Sequence, residues 1–217
     1  MRRATRFLGG LLLACAALPS AASARDLPVQ GGAGGTPFRT VCPAGSYLTG
    51  LLLRAGSLIE SVQPLCASQA PESRDGAAGH SFGRASPAGV PHGGKGGVPT
   101  GQTCPADRFV AGIRIGFTRA ENRPEYLDYV ELRCRQVDAA DPAQDTAVCT
   151  HTGNGCWTRH PSPGPFDGST LAFQSQCGPE EAVTGLAGRS GLFVDALGLV
   201  CDRRPRLTRS PARPDRR

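Results

Sequence analysis

Three carboxylates stand at one fixed place in a repeated pattern. Glu60, Asp128 and Asp195 each lie six residues before a cysteine, at Cys66, Cys134 and Cys201. Each stretch opens on another cysteine, Cys42, Cys104 or Cys177, and reaches Gly50, Gly112 or Gly185 eight residues later. A carboxylate beside a turn can cap backbone amides, accept hydrogen bonds from ligand hydroxyls, or work in a pair as acid and base. The pair needs two acids close together. These three belong to separate repeats, so no such pair is expected. No His-Glu-x-x-His or Gly-x-Ser-x-Gly occurs, and the repeats hold no histidine. The chain therefore reads as a non-enzyme without a cofactor. One other cluster could ligate metal: Cys149, His151, Cys156 and His160 offer four zinc-type ligands in a short span. The competing reading is a Cys149–Cys156 disulfide with bystander histidines. The even cysteine count favours it, and no metal site is expected.

The elements that position these acids follow from the repetition. Two repeats span 24 residues from cysteine to cysteine and the middle one spans 30. The extra residues fall between Gly116 and Tyr126. Equal spacing means one supersecondary unit used three times. Tyr47–Arg54, Phe109–Ile115 and Ala182–Leu186 read as strands, each with a glycine that marks a bulge or a close backbone approach. A second strand follows each acid, near Ile59–Leu65, Tyr129–Cys134 and Ala196–Val200. In the middle one, Val130 and Leu132 face one way, Glu131 and Arg133 the other. A further strand is expected before each first cysteine. One such unit cannot bury its apolar face alone, whereas three sheets around a common axis can.

Composition agrees. The chain has 217 residues, 39% hydrophobic and 6% aromatic, with Gly 29 and Pro 19. The core is lean and turns are many. Residues 1–24 read as an export signal: Arg2, Arg3 and Arg6, then the apolar stretch Phe7–Leu18, then Ala22-Ser23-Ala24. Cleavage would leave Arg25 first. Leu12-Leu13-Ala14-Cys15 offers an alternative, lipoprotein processing at Cys15. Either implies a secreted or periplasmic protein. Eight cysteines remain, and within-repeat pairing gives Cys42–Cys66, Cys104–Cys134 and Cys177–Cys201, with Cys149–Cys156 left over. The net charge of +6 is unevenly spread. The Pro-rich tail 203–217 carries seven arginines against Asp215 and is expected to be disordered. It could touch an anionic surface. Residues 25–202 are mildly acidic, which gives no reason to expect nucleic-acid binding. Lys95 is the only lysine. With the Ala and Gly excess, that reads as GC-rich, bacterial coding. The spacers 67–92 and 137–168 are loop-like.

Two glycine clusters lead into repeats: Gly31-Gly32-Ala33-Gly34-Gly35 and Gly93-Gly94-Lys95-Gly96-Gly97. Neither is followed by Gly-Lys-Ser/Thr, so neither is a phosphate loop. With the threefold repeat and the turn Gly191-Leu192-Phe193-Val194-Asp195, they make the chain resemble the jacalin-related lectins. That resemblance implies an all-β prism of three four-stranded antiparallel sheets over residues 25–202, with repeats near 31–66, 93–135 and 168–201. It implies a glycan partner and a noncatalytic site in which Asp195 and the backbone of Gly191, Leu192, Phe193 and Val194 pair with Gly31, Gly32, Gly34 and Gly35. A second candidate site joins Gly56 and Glu60 to Gly93, Gly94, Gly96 and Gly97, with Glu in place of the family's Asp. Gly116 and Asp128 stand twelve residues apart, so no standard site is expected in the middle repeat. Disulfides across each repeat are more like those of the vitelline membrane outer layer proteins. The alternative is a structural or interaction protein of the cell envelope, its three acids only capping turns.

Overall fold

Apolar-rich segments lie on either side of each repeat's connection, and each repeat folds as an antiparallel hairpin. The computed structural model describes residues 24–71, 80–120, 123–139, 141–150 and 170–204, nearly all of them in strands or tight connections. Before Cys42 come β1 (Arg25–Asp26), β2 (Gln30–Gly31) and β3 (Thr36–Val41). β4 (Ser46–Ala55) and β5 (Ile59–Pro71) are the first hairpin. The short β6 (His80–Phe82), β7 (Ser86–Pro87) and β8 (His92–Gly93) lead to β9 (Val98–Thr103). β10 (Arg108–Ala120) and β11 (Arg123–Gln136) are the second hairpin, followed by β12 (Thr146–Thr150). After β13 (Thr170–Gln176), β14 (Glu181–Ser190) and β15 (Val194–Arg203) are the third.

Three sheets result, with orders β1-β15-β14-β3, β12-β11-β10-β13 and β6-β5-β4-β9. Each has four rows of strand. In two of them one edge row comes in pieces: β1 and β2 run beside β15, and β6, β7 and β8 run beside β5. This is the β-prism. The strand ahead of each first cysteine is present, but it joins the preceding repeat's sheet rather than its own. β9 pairs with β4, β13 with β10, and β3 closes the ring on β14.

The disulfides acquire a different meaning from that exchange. Cys42–Cys66, Cys104–Cys134 and Cys177–Cys201 are bonded within repeats. Yet Cys42 follows β3 in the first sheet while Cys66 lies on β5 in the third. Cys104 and Cys134 join the third sheet to the second, and Cys177 and Cys201 join the second to the first. Each staple crosses a prism edge. The sulfurs sit in the core with Leu48, Leu51, Ile113, Ile115, Leu132, Leu186 and Leu197, all fully buried.

The repeated glycine marks the junction. The register shifts at Gly50, Gly112 and Gly185. The bulged residue before each, Thr49, Ala111 or Thr184, offers its carbonyl to the amide of Cys104, Cys177 or Cys42, at 2.8, 2.9 and 2.7 Å. A Cβ on Gly185 would collide with the carbonyl oxygen of Thr40, and one on Gly50 with that of Gln102. Gly185→Ala is expected to lower the unfolding free energy by about 1–3 kcal/mol, the usual cost of forced overpacking. A denaturant titration measures it; an unchanged midpoint would show that β3 can move aside.

Some expectations are corrected. The 67–92 spacer is not simply loop, since β5 runs to Pro71 and β6 and β7 lie within it. The face that carries Glu131 is covered: Glu131 is fully buried, with the Tyr129 hydroxyl donating to it at 2.8 Å. β15 continues to Arg203 and the Arg204 amide donates to the Glu180 carbonyl, so the fold takes in the first two residues of the expected tail. Arg25 and Asp26 are bound into the first sheet by ion pairs to Glu181 and Arg39. The signal and lipoprotein readings, the Cys149–Cys156 bond, the zinc alternative and the tail beyond 204 lie outside the described residues. Among the described residues no helix is long and apolar enough to cross a membrane.

Candidate functional site

The turn between β14 and β15 carries Gly191 to Asp195 and is closed by the Gly191 amide donating to the Phe193 carbonyl at 2.9 Å. The glycine loop between β2 and β3 lies against it. Gly31 pairs with Ala196, and the Gly32 amide donates to the Asp195 backbone carbonyl at 2.7 Å. Arg189, near the end of β14, clasps the loop from one side. Its Nε and Nη2 donate to the carbonyls of Gly34 and Gly35, each at 2.7 Å. The Asp195 carboxylate occupies the space these glycines leave empty. A Cβ on Gly34 would fall on Oδ1, and one on Gly35 would fall on Oδ2 and on the Ser190 backbone. Gly35 also has φ 62°, in the left-handed region that favours glycine.

The site is chemically unsatisfied. Asp195 is only 6% exposed, and its Oδ2 has no hydrogen-bond partner. Burial pushes its carboxyl above the usual aspartate range; the Gly191 backbone and the Arg189 guanidinium pull the other way without cancelling the rise. Among the described residues the Leu192 and Phe193 amides meet no acceptor. A buried acceptor without a donor costs free energy, and the same turn carries the two amides without an acceptor. A ligand hydroxyl can donate to one and accept from the other.

A second site repeats the construction. Gly93 pairs with Ser61, and the Gly94 amide donates to the Glu60 backbone carbonyl at 2.8 Å. Gly56 donates to the Leu58 carbonyl at 3.0 Å, as Gly191 does to Phe193. Arg54 clasps Gly96 and Gly97 through their carbonyls, as Arg189 clasps Gly34 and Gly35. The glycine torsions match: φ 125° at Gly93 against 132° at Gly31, and 61° at Gly97 against 62° at Gly35. The Glu60 carboxylate lies against Gly56 and Gly96. The two sites touch, for a Cβ on Gly94 would strike the Leu192 backbone.

Among the described residues the middle repeat shows no such construction. β10 and β11 run 13 and 14 residues, against 10 for β4 and β14, so the added residues lengthen a hairpin. Its distal half flanks the first site: the Tyr126 ring lies 5.3 Å from that of Phe193, and a Cβ on Gly31 would meet the Phe117 ring. Asp128 falls at a register shift of this hairpin.

The clasping arginines were not anticipated from the sequence, though a signal exists. Each stands four residues after the repeat glycine, Gly50 to Arg54 and Gly185 to Arg189. The middle repeat has Gly116 at that place. Arg189→Lys keeps the charge but loses the two-pronged geometry. It is expected to raise amide hydrogen exchange at Gly34 and Gly35 and cost about 1 kcal/mol of stability; unchanged exchange would show that the clasp is idle.

No protein-family model matches the chain, and no curated protein sequence matches it. Solved structures do. The wild-type Malaysian banana lectin is 15% identical, with 83% of this chain and 99% of that chain covered, at TM-score 0.52. A mannose-binding jacalin-related lectin from Ananas comosus is 15% identical, with 83% and 98% covered, at TM-score 0.50. Artocarpin, solved in complex with mannopentose, is 11% identical, with 84% and 99% covered, at TM-score 0.53. The chain shares their fold.

Proposed function

We propose that this protein is a noncatalytic carbohydrate-binding protein, and that the Asp195 turn and the Gly31–Gly35 loop form its principal site. The observation that carries the reading is the buried Asp195 carboxylate, one oxygen unpartnered, in a cradle that only glycines can line. A hydroxyl-rich ligand supplies the missing donors. The neighbours' bound sugars support the same class of ligand, a neutral glycan. Contacts at one shallow site give weak affinity, of about millimolar order or about 4 kcal/mol, so useful avidity needs both sites or several chains. A glycan array on the oxidised protein tests the reading. Binding of neutral hexosides, lost in Asp195→Asn, is the expected result. A folded, oxidised protein that binds no glycan would favour the structural role in the cell envelope. Export across the membrane, and contact of the arginine-rich tail with an anionic surface, belong to the same reading: a protein displayed outside the cytoplasm where glycans are met.

A further inference from the structure

We propose that the second site, between the β4–β5 turn and the Gly93–Gly97 loop, takes an anionic sugar, one with a carboxylate or phosphate group beside its hydroxyls. This rests on the reading of these turns as carbohydrate sites.

The two sites share a backbone and differ in charge. At the first, Asp195 is balanced by Arg189, and the exposed tip of the glycine loop is Ala33. At the second, Glu60 is balanced by Arg54, and the tip is Lys95, also exposed. Lys95 forms no ion pair among the described residues. One positive charge is thus left over at a place where the pseudo-equivalent site has none. His92, at the root of the loop, stacks on Phe38 with ring centres 4.1 Å apart and shares a 2.6 Å hydrogen bond with Thr40. Burial lowers its pKa below the ordinary histidine range. The imidazole is therefore neutral at pH 7, and the surplus charge there is that of Lys95.

The loop that carries Lys95 is held in place. Arg54 fixes the two residues after it, and Gly94 before it rests on the Leu192 backbone. The ammonium thus projects from an anchored base, and Glu60 remains available for hydroxyls. A sugar with hydroxyls on one edge and an anionic group on another matches both. A neutral sugar would leave the ammonium with solvent alone.

Titration of the oxidised Asp195→Asn protein, followed at the Gly94, Gly96 and Glu60 amides, tests this with three probes: methyl glucuronide, mannose 6-phosphate and methyl mannoside. An anionic probe is expected to bind about two- to five-fold more tightly than the neutral one at low salt, the scale of one exposed ion pair, and the gap should close as salt rises. Preference for the glucuronide alone assigns a uronate, and preference for the phosphate alone assigns a phosphorylated hexose. Lys95→Ala should erase the gap while neutral binding stays; alanine is the residue the first loop carries at this position, so the backbone tolerates it. Ala33→Lys should create the same preference at the first site of the otherwise unaltered protein. No preference, or one that survives Lys95→Ala, overturns the proposal. A wild-type protein that binds methyl mannoside through Asp195 while the second site shows no anionic preference overturns this inference alone. Absence of any sugar binding removes the carbohydrate reading and this inference together.

Discussion

Reduction of the three core disulfides is expected to unfold the protein at room temperature. They close loops of 24, 30 and 24 residues. Each such loop restricts the unfolded chain by about 3 kcal/mol, so together they contribute about 9 kcal/mol. That is comparable with the whole stability of an ordinary domain, about 5–15 kcal/mol. The core they sit in is poor in aromatics, and each bond joins two different sheets. Their loss therefore weakens every edge of the prism at once. Thermal melting followed by circular dichroism, with and without reductant, measures the effect. Replacing the Cys177–Cys201 pair by serines should lower stability by about 3 kcal/mol or more, since the serine hydroxyls would be buried without partners. A reduced protein that melts at the oxidised temperature would show that burial alone holds the sheets together.

Asp195→Asn is expected to separate binding from stability. Binding should weaken about tenfold or more, because the amide gives up a charge-assisted acceptor worth about 1.5–3 kcal/mol. Stability at neutral pH should hold or rise, because the buried charge is removed. The sign follows from the raised pKa of Asp195. A carboxyl whose folded pKa lies above its unfolded value favours the folded state while protonated. That contribution is complete below the unfolded pKa and is lost as pH rises through the folded one. The variant's advantage over wild type should therefore grow from acid to neutral pH. Wild-type binding should fade on acidification at a higher pH than an ordinary aspartate would dictate. Denaturant titrations across that range, paired with sugar titrations, check both limbs. A variant that is less stable at neutral pH would show that Asp195 caps the turn.

Much of the prism was legible because it is written three times. Equal cysteine offsets located the disulfides, and the repeat glycines located the bulges. What escaped was pairing over long range. Nothing local in Thr36–Val41 says that β3 pairs with β14 rather than with the repeat it precedes, because edge pairing depends on how the sheets close. The burial of Glu131 was not legible for a related reason. Alternation assigns a residue to one of two faces, but not whether the outer face is covered. Asp195 and the Gly31–Gly35 loop could be named as partners only through a family resemblance. The pattern alone left the acid equally able to cap a turn. The arginine clasps combine residues far apart in sequence with backbone carbonyls, which carry no residue type to recognise. Their fourfold offset from the repeat glycine becomes meaningful only once the loops they hold are in view.

The central claim is that the Asp195 turn binds neutral sugar. It is tested most directly by titrating the isotope-labelled, oxidised protein with methyl mannoside and methyl galactoside and following its backbone amides. The account predicts that at least one of them moves the amides of Gly31–Gly35 and Gly191–Asp195, with those at the open end of the β10–β11 hairpin, Arg108–Val110 and Cys134–Gln136, unchanged. Saturating sugar that moves none of these amides, or moves only residues on the outer faces of the sheets, would contradict it.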